Sequence, residues 1–271
     1  MDKFLEALES LLVDFECESN ELKHDLDEFV CSKGKRIRPR LAYLVILANG
    51  ENITPSQMEL VASGELLHSA SLIHDDIIDD ADERRGLPSF HTKYDSKLAV
   101  IAGDLLASSA MDKVLGLGNL DLYKLLLNTF KAMCNAEIVQ YFSKGIVPDL
   151  DVYLEKTKNK TALLFATILK GVSVLGENID ADKMYEFGIS FGIAFQIRND
   201  INSFLLANSN DRNNGIYTAP DIYMSMGDSR ELAIEKSEIL IDNEKQIMVN
   251  ILEYLPENVY KASLKEMIEG L

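Results

Sequence analysis

Apolar residues recur at helical spacing along nearly the whole chain, and strand signals are almost absent. Near the start, Phe4, Leu5, Leu8, Leu11, Leu12 and Phe15 form one stripe of an amphipathic helix. Pro39 stands just before the apolar run Leu41–Leu47, at a first-turn position that a helix tolerates. Thr54-Pro55 reads as an N-cap followed by N1, opening a long helix toward Asp82 that Arg84-Arg85-Gly86-Leu87-Pro88 ends. The pattern predicts further helices over 94–116, 120–143, 150–170, 181–206 and 229–252, with a short one over 257–269. No internal repeat and no Pro/Gly/Ser-rich linker divides them. The expectation is therefore an all-α fold of about ten helices in a single domain over residues 1–271.

Charge narrows the partners. With 27 Lys+Arg against 44 Asp+Glu, the net charge of −17 argues against a sequence-independent grip on nucleic acid or anionic lipid. Cys17, Cys31 and Cys134 form no CxxC pair and read as reduced thiols. The first residues carry acids where a secretory signal has its apolar stretch. The apolar runs Leu41–Ala48 and Ala162–Leu169 fall far short of the roughly 20 residues of a spanning helix. A cytoplasmic protein with no membrane span is expected.

Against this background, Asp75, Asp76, Asp79 and Asp80 interrupt a strongly apolar helix. Asp75 and Asp79 lie one turn apart, as do Asp76 and Asp80, and like charges so spaced destabilise a helix. A cation would offset this, and oxygen-only ligands suit Mg²⁺, which takes its other ligands from water and substrate phosphate. A solvated acidic face is the plain alternative. The apolar flanks and the adjacent Arg84-Arg85, whose planar forks suit phosphate, argue against it. A second basic stretch, Lys33 to Arg40, holds five positive charges in eight residues. A calcium loop is excluded because the D-x-D-x-D-G spacing is missing.

Taken in order, Gly34-Lys35-Arg36-Ile37-Arg38-Pro39, the segment His68 to Asp79, and Arg84-Arg85-Gly86-Leu87-Pro88 resemble the trans-isoprenyl diphosphate synthases, or polyprenyl synthetases. Gly103-Asp104-Leu105-Leu106, Lys160-Thr161-Ala162 and Phe195-Gln196-Ile197 follow in that family's order. The resemblance implies a helical bundle around a deep cavity, with two aspartate-rich motifs facing across its mouth. It implies a trans-prenyltransferase that condenses isopentenyl diphosphate head-to-tail onto an allylic prenyl diphosphate with Mg²⁺. By motif position Asp75, Asp76, Asp79 and Asp200 are the expected metal residues. Arg84, Lys160, Thr161 and Gln196 are expected on the allylic diphosphate, and Lys35, Arg38, His68 and Arg85 around isopentenyl diphosphate. Asp75, Asp79, Arg84, Lys160 and Asp200 would carry catalysis, and His74 would orient the first cluster. Terpene cyclases share the fold but have no use for Lys35, Arg38, His68 and Arg85.

The second motif departs from the family, standing as Asn199-Asp200-Ile201-Asn202-Ser203, and the basic residue of the loop after it is missing. An Asn oxygen brings no charge, so metal on this side should bind more weakly. Three readings stay open: a synthase acting alone, a subunit of a heteromeric synthase, and a non-catalytic subunit that keeps diphosphate affinity. In the family a bulky aromatic just before the first motif stops chain growth. Here Ala70 and Ser71 stand there with Leu67 and Gly64 below, implying a geranylgeranyl or longer product. The resemblance also implies a dimer, with an identical or a related chain.

Overall fold

The computed structural model describes residues 1–32, 34–84, 86–177, 180–206 and 215–271. In chain order the first helices are α1 (Asp2–Leu12), α2 (Asn20–Cys31), α3 (Ile37–Ala48), α4 (Pro55–Ile78), the single turn α5 (Phe90–Lys93), α6 (Ser96–Gly116) and α7 (Leu120–Phe142). There follow α8 (Leu150–Thr157), α9 (Leu163–Val174), α10 (Ala181–Leu205), α11 (Ala219–Ser225), α12 (Arg230–Leu252) and α13 (Val259–Glu269). The fold is all-α, as the periodicity requires. Among the described residues no helix is long and apolar enough to cross a membrane.

At the centre lies α4, packed against α1, α6 and α9. Its start is fixed as Thr54-Pro55 foretold. The Thr54 hydroxyl accepts from the Gln57 amide, and Gln57 Oε1 accepts from Thr54 N at 2.9 Å. Gln57 is fully buried, and its Nε2 donates to Val172 O at 2.9 Å, which ties the first turn of α4 to the end of α9. From Leu60 to Leu67 every α4 residue is buried. The helix stops at Ile78 instead of running toward Asp82. Asp80 turns into the left-handed region at φ 50°, which breaks the helical ladder, and Ala81 N bonds back to Asp76 O. Beyond it Glu83–Arg84 (β1) pairs antiparallel with Leu87–Pro88 (β2) around Gly86 at φ 80°, a hairpin where the sequence reading had only a helix stop.

The helix expected over 150–170 is continuous but carries a π turn at Lys158–Ala162 between α8 and α9. Against this turn lies α10, at backbone contact. A Cβ on Gly192 would stand 2.3 Å from Ala162 Cα, and one on Gly188 would stand 2.5 Å from Ala166 Cα. Around these glycines Phe165 packs on Phe191, with ring centroids 5.3 Å apart, and on Phe195 at 5.8 Å. The sequence reading passed over α2 and α11, although both carry a local start signal. Ser19 caps α2, and Thr218 with Asp221 forms a capping box before Pro220 in α11.

Because backbone rather than a flexible side chain meets position 192, Gly192→Ala forces α10 away from the π turn. Overpacking of this kind costs about 1–3 kcal/mol, and urea denaturation should show the midpoint falling accordingly.

Candidate active site

Residues of α3, α4, α6, α7, α9, α10 and the π turn line a cavity of about 750 Å³. One end is basic, with Lys35, Arg38 and His68. Its walls are apolar, with Leu72, Phe130, Met133, Ile138, Phe165 and Phe195. The Arg38 guanidinium stacks on the Phe165 ring 4.4 Å from the centroid, a cation–π contact that fixes the fork at the edge of the apolar wall. Asp75, Glu137, Lys160, Thr161 and Gln196 also line the cavity. A second chamber of about 120 Å³ shares Lys160, Thr161 and Gln196 with the first and adds Asp79, Asp200, Tyr153 and Lys156. The structure thus brings together all the described residues that the sequence assigned to diphosphate, apart from Arg84. Arg85 lies outside the described residues.

The π turn explains how neighbours Lys160 and Thr161 both face the cavities. Widening the helix by one residue per turn rotates successive side chains less, and such turns recur at functional sites. Lys160 Nζ lies 2.5 Å from Glu137 Oε2. Burial works to lower the Lys160 pKa, but Asp75 and Glu137 outweigh it and leave the ammonium raised. Asp75 behaves oppositely. Burial lifts it to about 6, against the pull of Lys160 and Arg84 and with the help of Glu137 and Asp79. Negative charge at Asp75 is therefore under-compensated by the protein itself.

The other aspartates separate. Asp76 is buried, and its Oδ1 accepts from Arg84 Nε at 2.8 Å and also from Arg84 Nη2. Its Oδ2 is buried without a hydrogen-bond partner among the described residues. Arg84, expected on the allylic diphosphate, pairs with Asp76 and lines neither chamber, though its charge also acts on Asp75. Asp79 follows the last residue of α4 as its C-cap and faces the smaller chamber, with Lys144 Nζ 4.0 Å from its Oδ1.

The donor set fits Mg²⁺. It is oxygen-only, and burial leaves Asp75 with its pKa raised despite Lys160 and Arg84, so a further cation would stabilise its charge. Two carboxylates from the chain and the rest from phosphate and water is how Mg²⁺ is ordinarily held.

Across the smaller chamber, Asp200 accepts at Oδ2 from the Tyr153 hydroxyl, 2.6 Å, and at Oδ1 from Gln196 Nε2, 2.8 Å. Gln196 Oε1 in turn accepts from Thr161 at 3.1 Å. Burial, then the Asp200 charge, holds the Tyr153 phenol well above its ordinary range, so it stays a donor. Gln196 and Asp200 line the chamber and Asn199 does not. Arg198 turns away to grip Glu238 with both amino groups, 2.5 Å each, pinning α10 to α12.

Further residues were missed in the sequence. Glu137 and Gln140 stand one turn apart on α7, polar positions in a helix with an apolar core-facing stripe. Tyr153, Lys144 and Lys156 have no local signal. His74, expected to orient the first cluster, makes its contacts to α6. Its Nε2 lies 3.4 Å from Asp104 Oδ1 and 3.3 Å from Val100 O, and only a glycine at 103 leaves room, since a Cβ there would come within 2.2 Å of Nε2. Of the residues named for chain length, Ser71 lines the cavity, whereas Ala70 and Leu67 are fully buried in the core. The cavity-facing stripe of α4 runs through His68, Ser71, Leu72 and Asp75, and positions 67 and 70 fall outside it.

The sequence model of the family described as Polyprenyl synthetase matches residues 19–240. A prenyl transferase of Synechocystis sp. is 38% identical over 63% of this chain and 54% of its own length. Solanesyl diphosphate synthase 2, chloroplastic, of Arabidopsis thaliana is 30% identical over 89% of this chain and 67% of its own. The chain thus spans about half the length of the first of these relatives and two thirds of the second. The crystal structure of geranylgeranyl pyrophosphate synthase from Lactobacillus brevis superposes with a TM-score of 0.89, covering 98% of this chain and 95% of that one at 23% identity. At that identity the likeness speaks for the fold.

A carboxyl raised from 3.8 to about 6 binds its proton more tightly in the folded chain than in the unfolded one. Stability of the metal-free protein should therefore fall as pH rises from about 4 to about 6 and stay lower above that. Asp75→Asn should remove this slope and raise the melting temperature at pH 7 by roughly a few degrees. The advantage should vanish near pH 4. Mg²⁺ should stabilise the wild type at pH 7 and leave the variant unmoved.

Proposed function

The chain belongs to the polyprenyl synthetase family of trans-prenyltransferases, and we propose that it joins isopentenyl diphosphate head-to-tail onto an allylic diphosphate in one domain. A single arrangement carries this reading. Basic residues (Lys35, Arg38, His68) and the acid Asp75 line one apolar cavity. Asp79 lines the smaller chamber that shares Lys160, Thr161 and Gln196 with it, so two anions can be held apart with their hydrocarbon parts together. Asp75 and Asp79 would hold Mg²⁺, which supplies positive charge to a departing diphosphate. Lys160, Thr161 and Gln196 stand where both chambers meet and would bind and orient that diphosphate. Lys160 stays protonated for this, because its acidic neighbours outweigh its burial.

Leu72, Phe130, Phe165 and Phe195 would keep water from the allylic carbocation until the double bond of isopentenyl diphosphate attacks it. The proton then lost from the new chain goes to the released diphosphate. Asp76 and Arg84 hold each other and so position the end of α4. Asp200 holds Gln196.

Association of two chains is part of the proposal. Ile101 on α6 and Ile138, Tyr141 and Phe142 on α7 are exposed, Phe142 at 79%, and a partner would cover them. A second reading, a subunit of a heteromeric synthase, is favoured by Asn199 and by the enclosure of Asp200 in protein hydrogen bonds. Cys17, Cys31 and Cys134 are all free, which suits a reducing compartment such as the cytoplasm.

The purified chain, incubated with isopentenyl diphosphate, farnesyl diphosphate and Mg²⁺, should yield prenyl diphosphates of geranylgeranyl length or longer. Asp75→Ala or Asp79→Ala should cut turnover about a hundredfold or more, roughly 3 kcal/mol of lost transition-state stabilisation. Ser71→Phe should shorten the product, and unchanged lengths would remove Ser71 from the wall that limits growth. No product from the chain alone, with isopentenyl diphosphate still bound, selects the heteromeric reading.

A further inference from the structure

The smaller chamber has a wall that a pair of metal-binding carboxylates does not account for. Its acids are Asp79 and Asp200, and both oxygens of Asp200 already accept from Tyr153 and Gln196. Asn199 does not line it. Its cations are Lys160 and Lys156, and Lys144 adds a third ammonium 4.0 Å from Asp79. Lys156 is half-buried, with Nζ 5.9 Å from the centroid of the Tyr153 ring, whose hydroxyl holds Asp200. Lys144 is half-buried as well, 5.8 Å from the Tyr141 ring centroid. Two lysines from separate segments, each lying along an aromatic ring, thus meet this small polar chamber, Lys156 in its wall and Lys144 beside its Asp79.

The chamber, at about 120 Å³, has room for roughly four waters, close to the bulk of a diphosphate group. An ammonium is a compact charge with three donors, and charge-assisted hydrogen bonds to phosphate oxygen are among the strong ones. We propose that Lys156, assisted by Lys144, grips the allylic diphosphate directly on the Asp200 side of the chamber, supplying there the positive charge that a metal on paired carboxylates would otherwise bring. This rests on the prenyltransferase reading and deepens it. The two sides of the mouth then differ in kind, one acting through Asp75 and Asp79 with Mg²⁺ and the other through lysine.

The test is calorimetric titration of inorganic diphosphate into the full chain in EDTA and again in Mg²⁺. An Arg38→Ala background weakens the anion site at the basic end. Binding should persist in EDTA. There Lys156→Met should weaken it about tenfold or more, the loss of one charged hydrogen bond, and Lys144→Met should weaken it less. Lys156→Arg should restore most of the affinity, and unchanged melting curves would separate lost binding from lost fold. Wild-type affinity in EDTA for both methionine variants overturns the proposal. So does binding of diphosphate in Mg²⁺ but not in EDTA, a result that leaves the synthase reading intact. That reading is checked separately on the same preparation by product formation from isopentenyl and farnesyl diphosphates.

Discussion

Everything at the mouth of the cavity depends on carboxylate charge placed at the end of a helix that is otherwise core. The middle of α4 is buried without a break, so the helix cannot tilt or slide to bring its acids to water. The protein answers each acid differently. Asp76, the most deeply placed, receives a fixed guanidinium from Arg84. Asp79, released from the ladder at the C-cap, meets Lys144 at 4.0 Å. Asp75 is drawn down by Lys160, which lies 2.5 Å from Glu137, and by Arg84, but burial outweighs both cations and leaves its pKa raised. A helix whose stability depended on full internal compensation would have no room for a substrate's counterion. The incomplete compensation at Asp75 is what a cation-dependent anion site requires.

The second determinant is backbone contact. Because Gly188 and Gly192 let α10 lie directly on Ala166 and Ala162, Gln196 is one turn beyond the contact and meets Thr161 at 3.1 Å. The π turn supplies the other half, rotating Lys160 and Thr161 toward the same space. Packing and chemistry are thus one arrangement. The tight crossing sets the distance between the wall that carries Lys160 and the wall that carries Asp200.

Much of this was legible in the sequence, for physical reasons that differ by element. Thr54-Pro55-Ser56-Gln57 is a local capping signal, so the start of α4 could be read from adjacent residues. Lys35, Arg38, His68 and Asp75 share a cavity that an ordered set of motifs announces. The end of α4 was not legible, because it turns on a left-handed Asp80, a conformation that aspartate tolerates but does not announce. Nor was the pairing of Arg84 with Asp76, because it depends on a hairpin that folds back on the end of the helix. The burial of Ala70 beside a cavity-lining Ser71 was not legible either, because counting back from a motif does not say which side of the helix faces inward. Lys156 and Lys144 come from different segments, and nothing in either predicts that one lines the chamber and the other approaches its Asp79.

Relatives on this fold carry different product names, solanesyl for one and geranylgeranyl for another. Fold alone therefore does not set chain length, and the difference must lie in side chains on the cavity wall. In this chain the stripe of α4 that faces inward passes from Asp75 through Leu72 and Ser71 to His68, with Phe130 and Met133 of α7 lining the same cavity. A growing hydrocarbon anchored at Asp75 and Asp79 meets a small side chain at Ser71. The next polar group along that stripe is His68, which belongs to the other substrate's basic end. On the proposed synthase reading, Val100 of α6 and Ile138 of α7 line the same cavity and are exposed, so they would offer a growing hydrocarbon apolar surface away from His68.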